Sequence, residues 1–151
     1  MNQRIYLDTS VYGGVFDSEF TKPSEILFEQ IRNGYFDLIS SAVVQEEIMA
    51  APTEVIKFFE EMLDYADIIE VDERVLHLRA AYLKAKIISP RYSDDALHGA
   101  LATLSNCQII VSWNFKHIVH FEKIPLYNAV NILQGYQPIS IYSPLEVIKY
   151  E

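Results

Sequence analysis

Cysteine is nearly missing from this 151-residue chain. Cys107 stands alone, so no internal disulfide can form, and no Cys/His spacing offers a zinc framework. That usage suits a cytoplasmic setting. No apolar run approaches the ~18 residues that would suggest a membrane span, and the opening MNQRIYLD has no signal-peptide core. The 5 glycines and 6 prolines do not gather into a linker, and no repeat is visible, which leaves one expected domain over residues 1–151. The one pair of adjacent glycines, Gly13-Gly14, completes neither G-x-G-x-x-G nor G-x-x-x-x-G-K, so a glycine-rich phosphate loop is excluded. Positive charge is scarce too. Against 21 Asp/Glu there are 12 Lys/Arg, a net −9 that at first argues against a polyanionic partner.

What is present is a core-forming composition, 50% apolar with 13% aromatic residues, which excludes disorder. The charge is also uneven. Residues 1–73 carry 4 basic and 16 acidic side chains, whereas residues 74–123 carry 7 basic (Arg74, Arg79, Lys84, Lys86, Arg91, Lys116, Lys123) and 3 acidic ones (Asp94, Asp95, Glu122). A basic stretch around an acidic pair is compatible with a phosphate ligand held beside a metal, and equally with solvated helix faces.

Apolar periodicity predicts strands at Arg4–Leu7, Phe36–Ser40, Ile68–Val71, Ile109–Val111 and Ile139–Tyr142, with Ile109–Val111 the most apolar and central. Between them it predicts helices at Ser24–Asn33, Ser41–Ala50, Pro52–Ala66, Asp72–Ile87, Ser93–Ser105 and Leu126–Leu133, with Gly34 closing the first and Asp72 and Ser93 as N-caps. Asp8-Thr9-Ser10 reads as a turn. Strands alternating with helices predict an α/β protein with a parallel sheet covered on both faces.

In such sheets ligands bind beyond the carboxyl ends of the strands. Asp8, Thr9 and Ser10 follow the first strand, Glu46 and Glu47 lie six or seven residues past the second, Asp94 and Asp95 open a helix, and Ser112, Trp113 and Asn114 follow the fourth strand. Carboxylates gathered on one rim repel unless a cation lies between them, and oxygen ligands suit Mg²⁺ or Mn²⁺. Taken singly, each has a plain role as turn former, solvated glutamate or helix-dipole acid. His98 reads as an interior histidine within reach of Asp94 or Asp95, and the His117/His120 pair as a weak metal signal. Cys107 reads as core.

Four segments in order resemble the motifs of the PIN domain family, the nuclease fold of VapC-like toxins: IYLDTSV at 5–11, ISSAVVQEEI at 39–48, SDDALHGALATL at 93–104 and IIVSWNFKHI at 109–118. The resemblance implies a three-layer α/β/α sandwich around a five-stranded parallel sheet. It also implies an endoribonuclease in which one or two Mg²⁺ or Mn²⁺ ions activate the water that hydrolyses an RNA phosphodiester. Counting six residues from Ser40, it assigns Asp8, Glu46 and Asp95 as metal ligands, with Asp94 as the register alternative to Asp95. Ser10 and Ser112 become supporting residues. Asn114 falls where the family commonly has a fourth acid, and His117 where an aspartate often follows; the Asn114 carbonyl oxygen can still ligate but brings no charge. Lys84, Lys86, Arg91 and Lys116 are candidates for RNA-backbone contacts. The implied partners are RNA, an antitoxin protein docking near the acids, and a second copy in a homodimer, for which the face bearing Phe58, Phe59 and Met62 is one candidate and core packing the other. A non-catalytic PIN-fold module that binds RNA or protein, and a Rossmann-like phosphatase, are the competing readings.

Overall fold

The computed structural model describes residues 2–150; Met1 and Glu151, the ends of the expected domain, lie outside the described residues. The order of elements is β1 (Gln3–Leu7), α1 (Thr9–Gly14), α2 (Thr21–Arg32), β2 (Phe36–Ser41), α3 (Ala42–Ile48), α4 (Thr53–Met62), β3 (Ala66–Ile69), α5 (Glu73–Lys84), α6 (Ser93–Leu104), β4 (Ile109–Val111), α7 (Ile124–Leu133), β5 (Ser140–Tyr142) and α8 (Pro144–Val147). The strands form one parallel sheet in the order β3-β2-β1-β4-β5. Helices α1 to α4 with α8, and α5 to α7, form two packing groups that flank it, giving the expected α/β/α layers. Among the described residues no helix is long and apolar enough to cross a membrane.

The sheet interior follows from β1, β2 and β4 reading as nearly continuous apolar runs, as strands buried on both faces must. Ile5, Tyr6, Leu7, Ile39, Ile110 and Val111 are fully buried. β1, and not β4, occupies the centre, because β1 pairs with both β2 and β4 while β4 has β5 on its other side. Several expectations hold at their capping residues. Gly34 adopts φ +83, the left-handed conformation that glycine reaches without strain, and the Asp72 carboxylate accepts from Val75 N at 3.1 Å to start α5.

Other boundaries move for identifiable reasons. Asp8-Thr9-Ser10 opens α1 instead of a turn; six residues ending in two glycines carry no periodic signal, yet Val11 and Tyr12 pack fully inside. α4 ends at Met62, and β3 begins at Ala66, where pairing with Leu38 overrides helix propensity. Ser93 is the first residue of α6 and not its cap; Tyr92 holds the cap position with no side-chain bond, while Ser89 accepts from Arg91 N at 3.3 Å one turn earlier. On α4, Phe59 and Met62 are buried and Phe58 packs edge-on against Phe28, so that stripe is core packing and not a free dimer face.

Candidate active site

The register of the central strands builds the site. Leu7 pairs with Val111, and the ladder runs one residue further as Asp8 N donates to Val111 O at 3.2 Å. Asp8 and Ser112, 104 residues apart in sequence, thereby become neighbours. Ser112 Oγ donates to Asp8 Oδ2 and Ser10 Oγ donates to Asp8 Oδ1, both at 2.6 Å. The serines are themselves held by backbone: Asn114 N donates to Ser112 Oγ at 2.8 Å and Trp113 N to Ser10 Oγ at 2.9 Å. Asp8 is only 3% exposed. Burial pushes its carboxyl pKa up; the charge of His98 and the two serine bonds oppose this without cancelling it, and Glu47 adds to it.

α3 begins at its N-cap Ser41, whose hydroxyl accepts from Val44 N at 3.2 Å. Six residues later Glu47 turns inward. Its Oε1 accepts from Thr9 Oγ1 at 2.5 Å and from His98 Nε2 at 2.8 Å. Glu46, the residue selected by counting from Ser40, points to solvent. The counting origin was the error: Ser40 ends inside the sheet, whereas Ser41 caps the helix and sets its rotation. The structure therefore brings Glu47, and not Glu46, beside Asp8.

His98 is the interior histidine that its place in the sequence suggests, 2% exposed. Its partners, however, are Glu47 and the Tyr6 hydroxyl, the latter at 2.7 Å from Nδ1, and Tyr6 in turn lies 2.9 Å from Ser41 Oγ. Burial works against a charge on His98, but the Glu47 bond and the charges of Asp8, Glu47 and Asp95 outweigh it and raise its pKa. On Glu47 burial raises and His98 and Thr9 lower, with a net downward shift. The two shifts share one cause, the bond between His98 Nε2 and Glu47 Oε1, which favours the charged form of each partner.

Asp95 enters from the first turn of α6, half-buried, while Asp94 faces solvent. Burial raises the Asp95 pKa against the pull of His117, His98 and the Asn114 side chain, and Glu47 reinforces the rise. Asn114 Oδ1 is not free: it accepts from Lys116 N at 3.2 Å and His117 N at 3.0 Å, closing a tight turn after β4. His117 is 9% exposed with neither ring nitrogen partnered, its ring 4.1 Å from that of Tyr92. His120 does not join it, for its Nδ1 accepts from Glu122 N at 3.2 Å. Cys107 lies in the core as expected.

The PIN domain family model matches residues 5–118. The chain belongs to the PIN domain family. A comparison with curated protein sequences finds no match. Among solved structures, the PIN fold seen here is similar to VapBC2 from Rickettsia felis bound to a DNA fragment from its promoter, at 13% identity and TM-score 0.58, covering 93% of this chain and 98% of that one. It is similar to FitAcB from Neisseria gonorrhoeae at 14% identity and TM-score 0.58, covering 95% and 99%. FitAB bound to an IR36 DNA fragment gives 14% identity and TM-score 0.59, covering 97% and 99%. At such identities the likeness speaks for the fold.

The donor chemistry of this PIN site fits a divalent cation. Glu47 Oε2 makes no hydrogen bond, Asp8 retains lone pairs beyond its two serine bonds, and burial leaves the Asp8 and Asp95 charges undercompensated. Among the described residues no three His, Cys, Asp or Glu side chains are gathered tightly enough to enclose an ion by themselves. The fit is therefore to an ion held by one or two carboxylates with water completing the shell, which suits Mg²⁺ or Mn²⁺. Of the basic candidates, Arg91 and Lys116 flank Tyr92, their charged groups 5.6 and 5.5 Å from its ring, whereas Lys84 and Lys86 are exposed at and just past the end of α5.

Proposed function

We propose that this single-domain, cytoplasmic PIN protein is an Mg²⁺- or Mn²⁺-dependent endoribonuclease, the toxin of a toxin–antitoxin pair. The observation that carries the reading is the convergence of Asp8, Glu47 and Asp95 around His98 at the carboxyl ends of the central strands. Asp8, Glu47 and Asp95 supply the carboxylates of which one or two would hold the cation, with water completing its shell, and Ser10 and Ser112 fix the Asp8 carboxylate so that its oxygens keep one orientation. Bound there, a divalent cation supplies charge against the phosphoryl oxygens and eases deprotonation of the attacking water. His98 holds Glu47 through one ring nitrogen while Tyr6 holds the other. Asn114 shapes the turn that carries Lys116 toward the substrate backbone, with Arg91, Lys84 and Lys86 contributing further phosphate contacts. An antitoxin protein and a second copy of the chain complete the assembly in this reading.

The test is Mn²⁺ binding by calorimetry, with single-stranded RNA cleavage measured in parallel, on the parent and on Asp95→Asn. The parent is expected to bind and to cleave, and Asp95→Asn to bind about tenfold more weakly. Equal binding and cleavage by both proteins would remove Asp95 from the site. A second reading, a non-catalytic PIN module for RNA or protein, is favoured by the Asn114 carbonyl being committed to backbone donors. Failure of the parent to bind Mn²⁺ or to cleave would decide for it.

A further inference from the structure

The residues just past the acid rim form an aromatic step that neither the carboxylates nor the core requires. Trp113, the one tryptophan of the chain, is buried in a fitted slot. Its Nε1 donates to Ser24 Oγ at 2.9 Å, and Phe20 stacks on its ring at 4.1 Å and 19°. Gly14 makes the slot possible, since a Cβ there would meet Trp113 Nε1 at 2.7 Å. Phe115 leans on this pair, 6.0 Å from Trp113 and 6.5 Å from Phe20, yet remains 48% exposed. It does not fold inward because the turn is closed on both sides of it, by Phe115 N donating to Trp113 O at 3.0 Å and by the two backbone bonds to Asn114 Oδ1. The adjoining backbone is tied directly to Asp8 through Ser10 and Ser112. The next residue, Lys116, and Arg91 both flank Tyr92 and are exposed.

A half-exposed aromatic ring backed by a rigid stack, followed in the chain by an exposed lysine, matches a nucleotide: the ring takes a base face and Lys116, with Arg91 across Tyr92, takes phosphates. We propose that Phe115, backed by Phe20 and Trp113, is a stacking platform for an unpaired nucleobase next to the phosphate at the acid rim. This rests on the ribonuclease reading and deepens it, because a base inside a duplex has no face to offer. The site therefore selects single-stranded or looped RNA and does so without reading base identity, since every base presents a π-face.

The experiment is a binding titration in EDTA, so that no cleavage intervenes, with a mixed-sequence single-stranded RNA oligonucleotide followed by Trp113 emission and by anisotropy of a labelled strand. Parent protein is expected to bind with a change in Trp113 emission. Phe115→Ala should bind about tenfold more weakly and Phe115→Tyr like the parent. A strand with abasic positions should bind parent and Phe115→Ala alike, and a duplex of the same sequence should show no dependence on residue 115. Unchanged RNA affinity in Phe115→Ala overturns the platform, leaves the ribonuclease reading standing, and hands the exposed ring to a protein partner. Absence of RNA binding by the parent overturns both.

Discussion

The two halves of the acid rim are built differently. Around Asp8 and Glu47 the hydrogen bonds are dense: two serines on one carboxylate, a threonine and a histidine on one oxygen of the other, and a tyrosine behind the histidine. Around Asp95 little is tied down. Asn114 spends its carbonyl on the backbone and His117 keeps two unpartnered nitrogens. An unmet buried polar group costs about 1–3 kcal/mol, and at His117 that cost stands uncompensated, whereas the Asp8 carboxylate already has both its serine donors. In the first half Asp8 continues the ladder of the central strands and inherits its rigidity. The second sits on a helix start and a turn, where adjustment is cheaper.

The largest effect should separate two adjacent residues. Glu47→Gln is expected to lower RNA cleavage by more than about 100-fold, beyond what loss of an outer partner costs, while Glu46→Gln stays within about twofold as exposed substitutions do. Comparable losses in both variants would mean that α3 is rotated and the organised half wrongly drawn. Next, Ser112→Ala should reduce cleavage by roughly 10–100-fold with the fold intact, because Asp8 loses one of the two donors that orient it; parental activity in that variant would show that the serine bonds are incidental. On the loose side, Asn114→Asp adds a charged oxygen where a neutral amide now closes the turn and leans on Asp95. Mn²⁺ affinity should rise about tenfold, and calorimetry showing no gain would mean that this half never faces the ion.

The smallest effect is on stability against pH. The raised pKa of His98 contributes stability that is complete below its ordinary value of 6.5 and is lost as pH climbs through the folded value. The lowered pKa of Glu47 works in the opposite sense, contributing above its ordinary 4.5 and fading on acidification through the folded value. Scanning calorimetry in EDTA should therefore show Tm falling on the alkaline side, by about 2–4 °C for each kcal/mol lost, and His98→Gln should flatten that limb. An unaltered alkaline slope in His98→Gln would remove the charged pair from the metal-free state.

The same division governs what could be read from the sequence. The sheet and most helices were legible because buried parallel strands are bluntly apolar and because Gly34 and Asp72 carry unambiguous cap chemistry. That Asp8, Ser10, Ser112 and Asp95 come to one rim was legible because each stands at a fixed offset from a strand end or helix start. That Glu47 and not Glu46 faces this rim was not legible, because two serines compete for the cap and only the hydrogen bond to Val44 N distinguishes them. The Tyr6–His98 link was invisible, since a buried tyrosine in β1 looks like core until α6 brings a ring nitrogen to it. α1 was missed because tertiary packing of Val11 and Tyr12, and not local propensity, makes it helical.

The bond between Asp8 and Ser112 spans 104 residues of sequence. Contacts this distant close late, after the loop entropy of the intervening chain has been overcome, and on a ribosome they cannot close until the fourth strand has emerged. A growing chain thus carries Asp8 through the synthesis of the next hundred or so residues without the geometry that orients it. The order of residues in the gene delays completion of the rim until β4 has been made.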